Sequence, residues 1–213
     1  MLLRLGHRGA RANPEIQENS PASFDLALEH GCDGFEFDVR RSRDGEAVVC
    51  HDPQWSGRTI SKTRAVLLGL PPLQDVMRIF MARAFLDIEL KTPGLEEQTL
   101  DALRAHPPAK GYVISSFLGA VVRQIATLDS HVPLGIICEN RAQLSSWRDL
   151  PAQYVIAEQK LVTRGLVAEL HDAGKRIMVW TVNRASSMER FAQFGVDGII
   201  SDQTERLVST LRG

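Results

Sequence analysis

The sequence predicts an α/β fold, a (β/α)8 TIM barrel built as one domain over residues 1–213, with a β-hairpin extension after its second strand. Two observations carry that expectation. Short β-rich runs alternate with amphipathic stretches eight times along the chain, the pattern of a parallel sheet closed on itself. No linker, low-complexity segment or composition shift interrupts the alternation, and 213 residues suit a single α/β barrel of about 200–250 residues.

The strands are expected at 2–6, 33–39, 84–90, 111–115, 133–137, 153–157, 175–181 and 197–200, each rich in Val, Ile, Leu or Phe. The helices are expected at 21–30, 72–83, 95–105, 117–128, 141–149, 163–173, 184–194 and 203–212. Ser20-Pro21 offers a capping hydroxyl followed by Pro at the first helical position. Thr163 and Asn183 stand where N-caps belong. Gly31, Gly174 and Gly195 fall just past helix ends, where a left-handed residue closes the last turn.

Residues 46–51 break the alternation. They form a strand pattern a few residues after 33–39, too close for a parallel crossover of a dozen or more residues. Arg43-Asp44-Gly45 is a hairpin turn signal, so this arm is expected to run antiparallel and to bring His51 roughly opposite Asp38. Phe35 and Phe37 alternate with Glu36 and Asp38 and belong to the layer between barrel and helices.

Composition narrows the function classes. Lys plus Arg number 25 and Asp plus Glu 26, a net charge of −1 that gives no general attraction for nucleic acid. No apolar run approaches the roughly 20 residues needed to cross a bilayer, so no stable membrane insertion is expected. Cys32, Cys50 and Cys138 are odd in number and without framework spacing. They read as buried thiols of a reducing, cytoplasmic setting. His30, His106, His131 and His171 lie at helix ends or loops and read as solvated. The sequence carries no signal for oligomeric state.

In a barrel the working residues sit at the C-terminal ends of the strands. Those positions hold His7 and Arg8, Glu36 and Asp38, His51, Glu89 and Lys91, and Trp180. Residues two apart on a strand face one side, so Glu36 projects with Asp38 and Glu89 with Lys91. Three carboxylates offer hard oxygen ligands that suit one divalent cation, Mg²⁺ or Ca²⁺. Arg8 and Lys91 would hold phosphate oxygens, Arg through a bidentate fork and Lys as a point charge. Two histidines suit proton transfer near neutral pH.

The motifs resemble the glycerophosphodiester phosphodiesterase family. Gly6-His7-Arg8-Gly9-Ala10, Glu18-Asn19-Ser20, Glu36-Phe37-Asp38-Val39, Asp44-Gly45 and His51-Asp52 are similar to its N-terminal signature. Glu89-Leu90-Lys91, Ser115-Ser116-Phe117, Val179-Trp180-Thr181-Val182-Asn183 and the run 195–202 continue it in order over nearly the whole chain. The resemblance implies metal-dependent hydrolysis of glycerophosphodiesters, small-molecule substrates, to glycerol 3-phosphate and an alcohol. It implies that Glu36, Asp38 and Glu89 hold the metal, that His7 and His51 are the acid–base pair, and that Arg8 and Lys91 bind phosphate. Trp180 would line the substrate pocket. The nucleophile would be the glycerol 2-hydroxyl or water.

The chain departs from the family pattern in three places. Gln17-Glu18-Asn19-Ser20 replaces the usual Pro-Glu-Asn-Thr, which predicts a reshaped rim and makes Glu18 a further candidate to approach the metal. The insertion between His51 and Glu89 is shortened to about 54–70, which predicts a more open site. The closing Ser201-Asp202-Gln203 lacks the usual Pro and reads as peripheral. Two other readings stand beside hydrolysis of small diesters. One is a lysophospholipase D-type activity on lipids, which Leu67-Leu68-Gly69-Leu70 would serve as an apolar rim. The other is a relative that binds diesters without turnover, which would lack one of the acid–base or metal residues. All are present.

Overall fold

The computed structural model describes residues 2–211. Among these, eight parallel strands close into a barrel: β1 (Leu3–His7), β2 (Gly34–Arg41), β6 (Phe85–Leu90), β7 (Tyr112–Ser116), β8 (Leu134–Cys138), β9 (Tyr154–Glu158), β10 (Arg176–Trp180) and β11 (Gly198–Ser201). β1 pairs with both β2 and β11, so the ring is complete. Each barrel strand lies within a residue or two of its expected position. β2 is the longest because it continues beyond the barrel into a hairpin with β3 (Ala47–Val49).

The hairpin register differs by one residue from the expected one. Val39 faces Val49 and the Cys50 N–H donates to the Asp38 carbonyl at 3.0 Å, so Cys50 stands opposite Asp38. His51 follows at the point where the ladder ends. The ladder pairs Val39 with Val49 and Arg41 with Ala47, which centres the turn on Asp44, and Gly45 takes the left-handed φ of 90° that the turn needs. The shortened insertion then forms a two-stranded ribbon, β4 (Gln54–Trp55) with β5 (Arg58–Thr59), and two 3-10 turns at Ile60–Lys62 and Ala65–Leu67.

The helices follow in order: α1 (Pro21–Glu29), α2 (Leu73–Phe80), α3 (Glu96–Ala105), α4 (Gly119–Leu128), α5 (Arg141–Ser145), α6 (Arg164–Asp172), α7 (Ala185–Phe194) and α8 (Thr204–Thr210). α5 is a short helix that tightens into a 3-10 turn over Ser146–Asp149. The Ser20 and Thr163 hydroxyls cap α1 and α6 by accepting from Ser23 and Leu166 N–H. The N-cap of α7 is Arg184 and not Asn183, whose amide is engaged elsewhere. His30 and His171 are not simply solvated, since they bond to Thr204 Oγ1 and Asp197 Oδ2.

Two apolar layers hold the barrel. Inside it, Leu5, Phe85, Val113, Ile137, Tyr154, Ile156, Met178 and Ile200 pack across the axis. Outside it, Phe24 of α1 stacks on Phe35 at 4.1 Å, and Phe80 of α2 meets both rings edge-on at 5.6 and 5.1 Å. Such pairs add about 0.5–1.5 kcal/mol each beyond the area they bury. The cluster also includes Phe37, so it clamps the outer face of β2 while the inner face presents Glu36 and Asp38. The packing thereby fixes the strand that carries the charged groups.

Candidate active site

Strand register assembles the charged residues in two rows. His7 faces Glu36, and Glu36 faces Asp87, across β1, β2 and β6. One step higher, Asp38 faces Glu89, and Glu89 faces Ser115. Glu36, Asp38 and Glu89 are all buried, and a ligand oxygen from each lies within 4.8 Å of the others. They line or adjoin a cavity of about 280 Å³ at the barrel mouth, walled by Phe117 and Trp180 and floored by Ile137, Ile156 and Ile200.

Neighbouring groups orient each carboxylate. Asn19 brackets Asp38, its Nδ2 donating to Oδ2 at 2.8 Å and its Oδ1 accepting the Asp38 N–H at 3.2 Å. The Arg8 N–H donates to Glu36 Oε2 at 3.0 Å from a backbone at φ 53°, a conformation side chains other than glycine seldom take. Lys91 Nζ lies 2.7 Å from Glu89 Oε1 and 3.2 Å from Asp38 Oδ1. Glu36 Oε1 is buried with no hydrogen-bond partner.

The electrostatics follow from that packing. Burial, then the charges of Asp38, Glu89 and Asp87, push the Glu36 carboxyl well above the usual carboxylate range. Burial and Asp38 push Glu89 up to about 7 against the pull of Lys91. Burial also pushes Asp87 up to about 7, although Ser115 Oγ donates to it at 2.6 Å. Burial acts to raise Asp38 as well, but Lys91, Arg8 and Asn19 outweigh it and hold that group below its ordinary value. Three carboxylates so placed cannot all ionise cheaply without a cation among them. An all-oxygen set with an unpartnered buried oxygen fits a hard divalent ion, so these residues could hold a metal.

Both histidines are oriented through Nδ1. His7 Nδ1 meets Asp202 Oδ1 at 2.7 Å, which leaves Nε2 on the cavity side, 3.9 Å from Glu36 Oε2. Asp202 is in turn held by Asn183 Nδ2 at 2.7 Å and by Arg11 at 3.3 Å. Burial opposes its ionisation, yet the bonds from His7 and Asn183 keep it far below the usual carboxylate range. His51 Nδ1 meets Asp52 Oδ1 at 2.7 Å, and burial lowers the His51 pKa although Asp38 and Asp52 act to raise it. Arg40 Nε donates to the His51 carbonyl at 2.6 Å and pins that loop.

The structure thus brings all eight candidate residues together: His7, Arg8, Glu36, His51, Glu89, Lys91 and Trp180 line the cavity, and Asp38 completes the acidic group. Trp180 Nε1 donates to the Ile156 carbonyl and its ring meets Phe117 edge-on at 5.7 Å. Glu18 does not join the acidic group. It pairs with Arg8 at 2.9 Å and Arg11 at 2.6 Å and so positions cations. The sequence reading missed Asp202, which is not peripheral, as the partner of His7, Asn183 as the partner of Asp202, and Asn19 as the partner of Asp38. The polar pair at the end of the last strand was the available signal.

The model of the Glycerophosphoryl diester phosphodiesterase family matches residues 7–78 and 89–206, most of the chain and every residue of this cavity except Asp87. The chain belongs to this family. A glycerophosphodiester phosphodiesterase of Caldanaerobacter subterraneus subsp. tengcongensis is 29% identical over 245 residues, covering 99% of this chain and 98% of the relative. One from Bacillus altitudinis is 27% identical over 238 residues, covering 96% of each. Among solved structures, a phosphodiesterase of Oleispira antarctica in complex with the product sn-glycerol-3-phosphate superposes with a TM-score of 0.88 at 24% identity. It covers 99% of this chain and 97% of its own. A family structure from Silicibacter pomeroyi gives 0.87 at 22% identity, covering 99% and 93%. These likenesses at low identity establish a shared barrel. Family membership itself rests on the match to the family model.

Proposed function

We propose that this member of the family hydrolyses glycerophosphodiesters to glycerol 3-phosphate and an alcohol, with one divalent cation, Mg²⁺ or Ca²⁺, held by Glu36, Asp38 and Glu89. The observation that carries the reading is the acidic triad flanked by two carboxylate-paired histidines, Arg8 and Lys91 in one cavity. When bound, the cation would polarise the phosphoryl oxygens and offset charge built up in the transition state.

The chain's own groups supply the rest. Arg8 and Lys91 neutralise the phosphate and fix its orientation. His7 takes the proton of the attacking oxygen at Nε2, whether water attacks directly or the glycerol 2-hydroxyl attacks first and water then opens the cyclic phosphate, because Asp202 holds the other nitrogen protonated and stabilises the imidazolium that forms. His51 gives a proton to the departing alcohol, the negative phosphate beside it countering the effect of burial. Phe117 and Trp180 form an apolar wall against which the glycerol carbons pack and from which water is excluded. Among the described residues no helix is long and apolar enough to cross a membrane. Buried, unpaired thiols at Cys32, Cys50 and Cys138, with Cys32 and Cys138 pushed up to about 12 by burial, support a reducing, cytoplasmic setting.

The test is release of glycerol 3-phosphate from glycerophosphocholine and glycerophosphoethanolamine by protein stripped with EDTA and resupplied with Mg²⁺ or Ca²⁺. Turnover restored by either ion is the expected result. A folded protein that binds the ion and leaves both diesters intact would overturn the reading.

A further inference from the structure

The shortened insertion has a charge and surface pattern that the chemistry of the cavity does not use. From Pro53 to Gln74 the chain carries Arg58, Lys62 and Arg64 and no acidic residue, although acidic and basic residues nearly balance over the whole sequence. All three cations are exposed. Beside them Val66 and Leu67 are 77% and 57% exposed, well above every other large apolar side chain among the described residues.

These two side chains are held outward by an ordered turn. Leu68 and Ile60 turn inward and pack with Val48 and Cys50, so the insertion has its own small core. Leu67 and Leu68 N–H donate to the carbonyls of Arg64 and Ala65 at 3.0 Å each, and Ala65 N–H donates to Asp44 Oδ1 at 2.9 Å. Arg64 leans on the same Asp44 at 3.6 Å. The turn thereby keeps an exposed aliphatic tip on a segment whose only charged side chains are cations. The insertion also borders a cleft lined by Trp55, Gly69 and Leu70 that reaches His51, a wall of the catalytic cavity.

We propose that the 54–70 insertion is an interfacial anchor that seats the barrel mouth on an anionic lipid surface. Two aliphatic side chains enter the headgroup boundary while Arg58 and Lys62 pair with lipid phosphates, the combination that drives reversible peripheral binding. Charge favours this occupant over a second copy of the chain, because a two-fold contact through the tip would set the same cations against each other. The anchor would bring the cavity to diesters held at or leaving a membrane, and it goes beyond the proposed hydrolysis in being measurable without turnover.

Co-sedimentation of the full chain with vesicles of phosphatidylcholine, with and without about one third phosphatidylglycerol, tests it. The wild type is expected to partition onto the anionic vesicles only, and added salt should release it. Each Lys or Arg near an anionic leaflet contributes about fivefold, so Arg58→Gln with Lys62→Gln should lower partition at least about tenfold. Val66→Ser with Leu67→Ser should do likewise, and both double variants should hydrolyse soluble glycerophosphocholine at the wild-type rate. Equal partition onto both vesicles, no binding to either, or undiminished binding by either double variant would overturn the anchor. So would a wild-type dimer that Val66→Ser with Leu67→Ser converts to monomer. Failure of soluble hydrolysis in the wild type would count against the proposed function and leave the partition result unaffected.

Discussion

His7 Nδ1 and Asp202 Oδ1 lie 2.7 Å apart, joining the end of the first barrel strand to the end of the last across 195 residues of sequence. The bond fixes which imidazole nitrogen faces the cavity. Asp202→Asn keeps the size and the contact but cannot hold the Nδ1 proton as a carboxylate does. We expect kcat to fall about 10²–10⁴-fold with KM nearly unchanged. Steady-state kinetics on glycerophosphocholine decide it, and a variant that mainly raised KM would assign Asp202 to substrate binding.

The proposed metal binding and proton transfer should be separable by substitution. Glu36→Ala or Glu89→Ala should weaken Mg²⁺ or Ca²⁺ binding and activity together, as titration calorimetry and rate measurements on one preparation would reveal. His7→Ala or His51→Ala should leave cation affinity intact and remove turnover by at least about 10²-fold. A histidine variant that retained most of its rate would remove that residue from the acid–base pair.

If the acidic group holds a cation as proposed, stability should depend on pH and metal together. Glu36, Glu89 and Asp87 hold protons more tightly in the fold than a free carboxyl does, the last two with values of about 7. Without a cation their contribution is most favourable at low pH and is lost as pH rises from the ordinary carboxylate range through about 7. Asp38 and Asp202 act in the opposite sense, but their contribution is complete above about pH 5. Calorimetry should therefore find that saturating Mg²⁺ or Ca²⁺ raises Tm more at about pH 8 than at about pH 5.5. A gain that was equal or larger in acid would locate the cation elsewhere.

Gly34 is set by a close approach of backbones. A Cβ built there would lie 1.9 Å from the Phe85 carbonyl oxygen, and Gly34 pairs with Phe85 in the ladder that carries Glu36 and Glu89. Gly34→Ala should cost about 3 kcal/mol in a denaturant titration. A loss below about 1 kcal/mol would mean that β2 and β6 can part without disturbing the fold.

The barrel was legible because its strands and helices are written locally, in alternating apolar runs and capping residues such as Ser20 and Thr163. The grouping of the candidate residues was legible because strand ends meet at the barrel mouth: Glu36 with Asp38 and Glu89 with Lys91 share a face by spacing alone. What escaped were contacts that depend on closure or on exact turn geometry. Asn183 reads locally as a helix cap, and only the pairing of β10 with β11 turns its amide to Asp202. His51 was placed one residue out because nothing local fixes whether a tight turn holds one residue more or fewer. Glu18 reads as a further candidate for the acidic group, yet its reach ends on Arg8 and Arg11.

The seam between β1 and β11 gives this molecule a built-in test of its own assembly. Leu3 to Gly6 pair with Gly198 to Ser201, so the ring closes only after nearly the whole chain has been placed. Contacts of such sequence separation form late when loop-closure entropy governs the order of events. An open barrel could already gather Glu36, Asp38 and Glu89, which sit on adjacent strands, but its His7 would have no Asp202. A refolding time course should then regain cation uptake before it regains turnover, the first catalytic event marking the moment the ring shuts.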